Sequence, residues 1–239
     1  MAEVARRLPR AAVAPVAPRR RSLALRLVTN ERVVAGSIVL LVTFAVAVLA
    51  DVLSPYQPNA QVLADRLAAP SLAHPFGVDH LGRDVLSRAI YGARVSLGVG
   101  FSSVAITIVI GTLIGVAAGF FGRWTDSVLM RFVDVFISIP VFMLLLTVVA
   151  IYGSSVGLLV AFIGISAFPG AARIVRAEVL SLMPRDFILA ARVVGASPVR
   201  IMARHLVPNL MPVIIVSATL RVGAAILTEA GLLPDWFRT

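Results

Sequence analysis

Five stretches of this chain run apolar for longer than a half-buried strand or a surface helix requires, and polar segments separate them. The first fills residues 33–53, and Val33–Ala50 carries no charge. About 20 apolar residues in a helix cross the hydrocarbon of a bilayer, so this run predicts a first span. A polar segment, 54–94, follows, broken by Pro55, Pro58, Pro70 and Pro75. Val95–Gly122 is again uncharged and predicts a second span. Its Gly111, Gly115 and Gly119 fall on one helix face, which lets a neighbouring helix approach closely. A third span is expected from about Val128 to Ile151, with Arg131 and Asp134 within pairing distance in its first turns and a kink at Pro140. Gly153-Ser154-Ser155 reads as a short turn. Val156–Phe168 opens a fourth span, short unless its helix continues through Ala171 and Ala172 towards Arg173 and Arg176. The fifth runs from about Pro208 to Leu233. The pattern predicts an all-α, polytopic membrane helical bundle with five spans, its core over residues 95–233.

Composition excludes the soluble alternatives. The 239 residues are 59% hydrophobic and 14% charged, with a mean hydropathy of +0.95. That leaves too little polar surface to cover a soluble core. The formal charge of +10 would suggest nucleic acid in a soluble protein. Here the positive-inside rule accounts for it. With the N-terminus in the cytoplasm, fifteen of the 22 arginines fall on the cytoplasmic side, in the basic arm 1–32, the Arg123 turn and the loop from Arg173 to Arg204. Only Arg66, Arg83, Arg88, Arg94 and Arg238 fall outside. Nucleic acid is therefore not a predicted partner; membrane lipid is. There is no cysteine, hence no disulfide or thiol chemistry.

Two polar segments carry motifs. In Arg185–Asn209, a first short helix is expected to end at Gly195, which adopts the backbone conformation that closes helices. Ser197 reads as an N-cap with Pro198 at the first helical position, and the second helix is expected to stop at Pro208. Two small helices held between spans form a rigid knob, which suggests a docking surface. The other segment is His74-Pro75-Phe76-Gly77-Val78-Asp79-His80-Leu81-Gly82-Arg83-Asp84. Its two His and two Asp match no standard zinc spacing. The preferred reading is a turn-rich loop with tight turns at Gly77 and Gly82 and Arg–Asp neighbours satisfying one another.

These motifs resemble the permease subunits of ATP-binding cassette (ABC) importers. Ala190-Ala191-x-x-x-Gly195, followed after twelve residues by Pro208, is similar to that family's coupling loop. Leu189 stands where the loop usually has Glu, and His205 and Val207 replace its Ile and Leu. Arg204-His205-Leu206-Val207-Pro208-Asn209 and the His74–Asp84 segment resemble the dipeptide, oligopeptide and nickel branch, with Val78 in place of the usual Thr. The resemblance implies a type I importer fold and a second, C-type permease subunit. Its partners would be a homologous permease, two cytoplasmic ATP-binding subunits and an external solute-binding protein. Arg185, Asp186, Ala190, Ala191, Gly195 and Pro208 would couple to the ATPase, through a loop at about 173–207. His74, Pro75, Phe76, Gly77, Asp79, Gly82, Arg83 and Asp84 would brace the external mouth. Peptide is preferred over nickel as the solute.

The chain has no Gly-x-x-x-x-Gly-Lys-Ser/Thr loop and no lysine, so ATP would be bound by the partner subunits. No catalytic, cofactor-binding or metal residues are assigned, and an enzyme is not expected. Arg221 and Glu229, ionisable residues inside the fifth span, are candidates for the solute pathway; eight residues apart on a helix, they are not expected to pair. Permeases of this branch continue to a sixth span, whereas the family-like run here ends near Ala230 before the tail 234–239. That predicts a truncated permease, with a non-transporting remnant or a secondary transporter as the alternatives.

Overall fold

The computed structural model describes residues 30–153 and 155–232. The basic arm up to residue 29, Ser154 of the predicted turn, and the tail lie outside the described residues. The chain divides after Ala45 into two compact units. Helix α1, Glu31–Val48, opens where the Asn30 side chain accepts a hydrogen bond from the Arg32 N–H, 3.1 Å. A short helix α2, Ala50–Leu53, follows.

In the second unit, residues 54–84 form a loop with one 3-10 turn, Leu63–Asp65, and one isolated bridge between Val78 and Asp84. Helix α3 then runs from Val85 to Phe121, 37 residues. It begins well before Val95 because the Asp84 carboxylate caps it, accepting from the Ser87 N–H at 2.7 Å. Arg88 and Arg94 make its first turns polar, which is why hydropathy alone assigns them to the loop.

Helices α4, Arg123–Ser138, and α5, Val141–Tyr152, are bent by 77° across Ile139 and Pro140. Proline cannot donate to the helical ladder, so the predicted kink is a full break. Helix α6, Val156–Leu182, stays continuous through Pro169, as the short fourth run requires. Among the described residues, four helices are long and apolar enough to cross a membrane, and a fifth span exists if α4 and α5 together make one.

The α3–α6 seam shows why the glycines are spaced as they are. A Cβ on Gly111 would lie 2.5 Å from the Ala171 Cβ, and one on Gly115 would lie 2.6 Å from the Ala172 carbonyl oxygen. One on Gly119 would lie 2.7 Å from a Val179 methyl. The two backbones approach along three turns, and Thr107 donates across the seam to the Gly164 carbonyl at 2.8 Å. Asp134 pairs not with Arg131 but with Arg173 on α6, 2.5 Å. Asp126 pairs with Arg176, also on α6. Both ion pairs tie α4 to α6.

The connection between α6 and the last helix consists of α7, Asp186–Val193, and α8, Pro198–Ile201. Where the second short helix is expected to stop at Pro208, the helical run continues through it. A π-turn, Met202–Leu206, leads directly into α9, Val207–Leu232. The wider turn, in which the Val207 N–H reaches the Met202 carbonyl, absorbs the proline near the start of α9.

Candidate functional site

The predicted site residues fall into three places. The loop preceding α3 is built around two carboxylates. Asp79 Oδ1 accepts from the backbone N–H groups of Leu81, 2.8 Å, and Arg83, 3.0 Å. Its Oδ2 accepts from Arg83 Nε, 2.8 Å, and from Arg88 Nη1. Burial pushes the Asp79 carboxyl up, but these donors outweigh it and hold it well below the usual carboxylate range. Asp84 Oδ2 accepts from the Ser87 N–H and hydroxyl, each 2.7 Å, and its Oδ1 lies 2.9 Å from His74 Nδ1. Burial raises this carboxyl too, and the Ser87 and His74 bonds bring it below its ordinary value.

Gly77 and Gly82 both have positive φ, +75° and +78°. A Cβ on Gly82 would meet the Val62 carbonyl oxygen at 2.5 Å, and one on Gly77 the Ala68 oxygen at 2.8 Å. Arg83 and Asp84 are buried. The Tyr56 ring stacks on His74 with centroids 4.9 Å apart. Pro75 and Phe76 alone of the predicted eight face outward. The loop thus pairs its carboxylates internally, each Asp with its own set of donors, while the buried Arg83 Nη2 has no hydrogen-bond partner.

The α7–α8 knob has the opposite character. Arg185 occupies the N-cap position of α7, and Asp186 lies in the first turn. The Gly195 N–H bonds to the Arg192 carbonyl and the Ala196 N–H to the Ala191 carbonyl, each 3.0 Å, with Gly195 at φ +81°. This closes α7 as its glycine requires. Ser197 accepts from the Arg200 N–H at 3.4 Å, with Pro198 first in the helix. Pro208 sits just inside α9.

The inner side of the knob packs into one cluster with three long helices. Ile188, Ile201 and Leu206 join Val116 of α3, Val175 and Val179 of α6, and Leu210 and Ile214 of α9, with Ala191 against them. Ala190 faces outward with Leu189, Val193, Val194 and Val199. Val193 and Val194 are 87% and 86% exposed. The motif names the alanines, with Leu189 in the place of a Glu, and passes over Val193, Val194 and Val199; four aliphatic residues inside an Arg-rich loop are the signal that points to them.

The third place is α9. Arg221 is half-buried and donates from Nε to the Ser217 hydroxyl and from Nη1 to the Ala167 carbonyl of α6, each 3.2 Å. Glu229 is buried, and Ser96 of α3 donates to it at 2.7 Å. The two do not meet. Glu229 faces a helix of its own chain, a contact 133 residues apart in sequence that no local pattern announces.

Comparison with known proteins agrees with this architecture. Residues 111–233 match the model of the binding-protein-dependent transport system inner membrane component. Residues 20–70 match the N-terminal transmembrane domain of oligopeptide transport permease C. The chain is 38% identical over 207 residues to the dipeptide transport system permease protein DppC of Bacillus subtilis, covering 87% of this chain and 65% of that protein. It is 40% identical over 228 residues to a putative peptide permease of Brucella ovis, covering 95% and 75%. A glutathione transport system permease of Pectobacterium atrosepticum is 36% identical over 222 residues, covering 88% and 74%. Multiple apolar helices, a self-satisfied loop, a knob continuous with the helix core and these relatives lead to one assignment: the chain belongs to the family of inner membrane components of binding-protein-dependent transport systems.

Proposed function

We propose that this chain is the permease subunit of an ATP-driven importer of small peptides, and that the α7–α8 knob is its docking element for a cytoplasmic ATPase. The carrying observation is the two-sidedness of the knob. Leu189, Val193, Val194 and Val199 are exposed outside the spans, while Ile188, Ile201 and Leu206 share a core with α3, α6 and α9. A partner that grips the outer side therefore moves three membrane helices at once. Buried clusters of this kind transmit displacement because close packing leaves little room for independent relaxation.

In this reading the chain pairs with a related permease, two ATP-binding subunits and an external solute-binding protein. ATP is bound by those partners, and Arg185, Asp186, Ala190, Ala191, Gly195 and Pro208 shape the knob they hold. The His74–Asp84 loop braces the opposite mouth. The peptide substrate class rests on the relatives named for dipeptide, peptide and glutathione transport.

The absence of native cysteine provides a direct test. Val193→Cys, assembled with the ATPase and reconstituted in proteoliposomes, is expected to crosslink to the ATPase subunit, whereas Phe76→Cys is not. The same vesicles carrying the unaltered chain are expected to take up a labelled dipeptide only when ATP is supplied to the ATPase side. Crosslinking from Phe76→Cys instead, or uptake indifferent to ATP, would overturn the proposal.

A further inference from the structure

Arg221 is a cation at membrane depth with no opposite charge beside it among the described residues. It lies about 21 Å from the start of α9 and about 16 Å from its end, at 1.5 Å per residue, near the middle of the span. Its guanidinium remains charged, and an arginine at this depth is costly unless water or an anion meets it. Among the described residues no carboxylate lies within ion-pair distance of it; its two contacts are the Ser217 hydroxyl and the Ala167 carbonyl. Those contacts use two of five N–H donors.

The surroundings position this charge rather than bury it. Gly170 of α6 lies against the guanidinium: a Cβ there would come within 2.9 Å of Nη2. Ser217 and Ala167 hold the group from the helix side. Ser217 and Arg221 border an open groove of about 500 Å³, otherwise lined by apolar residues that include Ile174, Pro212, Val216, Leu220 and Ala224. Its size is in the range of small-molecule sites, and its wall is apolar apart from these two residues. A lipid phosphate belongs at the membrane surface, not at mid-span. An apolar trough beside one held guanidinium fits the C-terminal residue of a peptide, an apolar side chain next to a free carboxylate, the group arginine pairs with bidentately.

We propose that Arg221 is a specificity-determining residue that receives the free terminal carboxylate of the peptide during its passage along α9. This inference rests on the peptide-importer reading and adds to it the atom that is read. The Ala167 contact gives the site a link to the knob. Arg221 bridges α9 to α6, the two helices that flank α7 and α8, so movement of the knob alters how the guanidinium is held.

The test compares uptake of a free-acid dipeptide with that of its C-terminal amide, in proteoliposomes containing the assembled transporter. The unaltered chain, Arg221→Gln, Arg221→Lys and Gly170→Ala are measured with one solute-binding protein, so discrimination by that protein cancels between variants. For Arg221→Gln the acid-to-amide ratio of kcat/KM is expected to fall about tenfold, the scale of one charge-assisted hydrogen bond, with amide uptake retained. Arg221→Lys is expected to keep most of the preference. Gly170→Ala displaces the end of a flexible side chain, so it leaves assembly intact and is expected to lower the ratio about threefold, a fraction of the same contribution; this arm stands if Arg221→Gln fails to assemble. Unchanged ratios in Arg221→Gln or, should that variant not assemble, in Gly170→Ala would overturn the proposal. So would equal loss of acid and amide uptake, which would mark Arg221 as a contact to another helix. Absence of ATP-driven peptide uptake by the unaltered chain would instead overturn the importer reading itself.

Discussion

The two loops on either side of the bundle invite opposite descriptions, although both were recognisable by motif. In the His74–Asp84 loop nearly every polar group has a partner within the loop or the first turns of α3, and Arg83 and Asp84 are buried. In the α7–α8 knob the charged groups sit outside and four aliphatic side chains join them at the surface. The first loop is built to hold its own shape. The second holds its shape through the helix core and offers a surface that none of the described residues covers. The difference teaches that a family motif can mark a self-contained brace or an exposed grip, and that burial separates the two.

The largest expected effect comes from removing the centre of the brace. Asp79→Asn takes the charge from four donors and leaves buried Arg83 without its carboxylate. Breaking a buried pair on one side costs about 3–5 kcal/mol. The 54–84 loop of this variant is expected to become protease-sensitive, while crosslinking of Val193→Cys to the ATPase persists. If the loop stays resistant, its charges are not what holds it.

A matched pair of glycine substitutions sharpens the contrast. Gly82 and Gly195 have almost the same backbone, φ +78° and +81°. Around Gly82 a new Cβ meets the Val62 backbone, whereas around Gly195 nothing lies within 4 Å. Gly82→Ala is expected to cost more than about 2 kcal/mol, strain and collision together, and Gly195→Ala about 1 kcal/mol from strain alone. Thermal unfolding of the two variants in one detergent measures the difference; equal losses would contradict the geometry.

Acid provides a smaller, reversible version of the first test. Asp79 and Asp84 both have folded carboxyls below their ordinary value. Their contribution to stability is therefore complete above the ordinary carboxylate pKa of about 3.9 and is lost as pH falls below it towards the folded values. The unfolding midpoint is expected to change little between pH 7 and 5 and to drop by pH 3, with a shallower drop in an Asp79→Asn, Asp84→Asn double variant. An identical acid profile in that variant would remove the two carboxyls as its cause.

Much of this architecture was legible in the sequence for simple physical reasons. Uncharged runs of membrane length have few alternatives, Gly111, Gly115 and Gly119 declare a close helix contact, and Pro140 marks a kink, which the structure widens into a 77° break. The chain's continuity through Pro208 was not legible, because a π-turn accommodates the proline and no residue type signals one. The start of α3 at Val85 was hidden by Arg88 and Arg94, whose partners lie in the loop and beside Asp51. The pairs Asp126–Arg176 and Asp134–Arg173 and the Ser96–Glu229 bond join residues far apart in sequence, so only the assembled helices bring them together. At the knob, the motif directs attention to Ala191, yet Ala191 packs inward with the core. A bulky charge there would disturb folding as well as the proposed docking, whereas changes at the exposed Val193 and Val194 leave the core untouched.

In the proposed mechanism the exposed face of α7 transmits ATPase movement to the helices. The most direct measurement of this is ATP-driven peptide uptake by a Val193→Asp, Val194→Asp double variant, with insertion and thermal unfolding followed in parallel. Unfolding is expected to stay unchanged within about 0.5 kcal/mol, as for substitutions at open surface, and uptake to be lost. Uptake at the rate of the unaltered chain would contradict it.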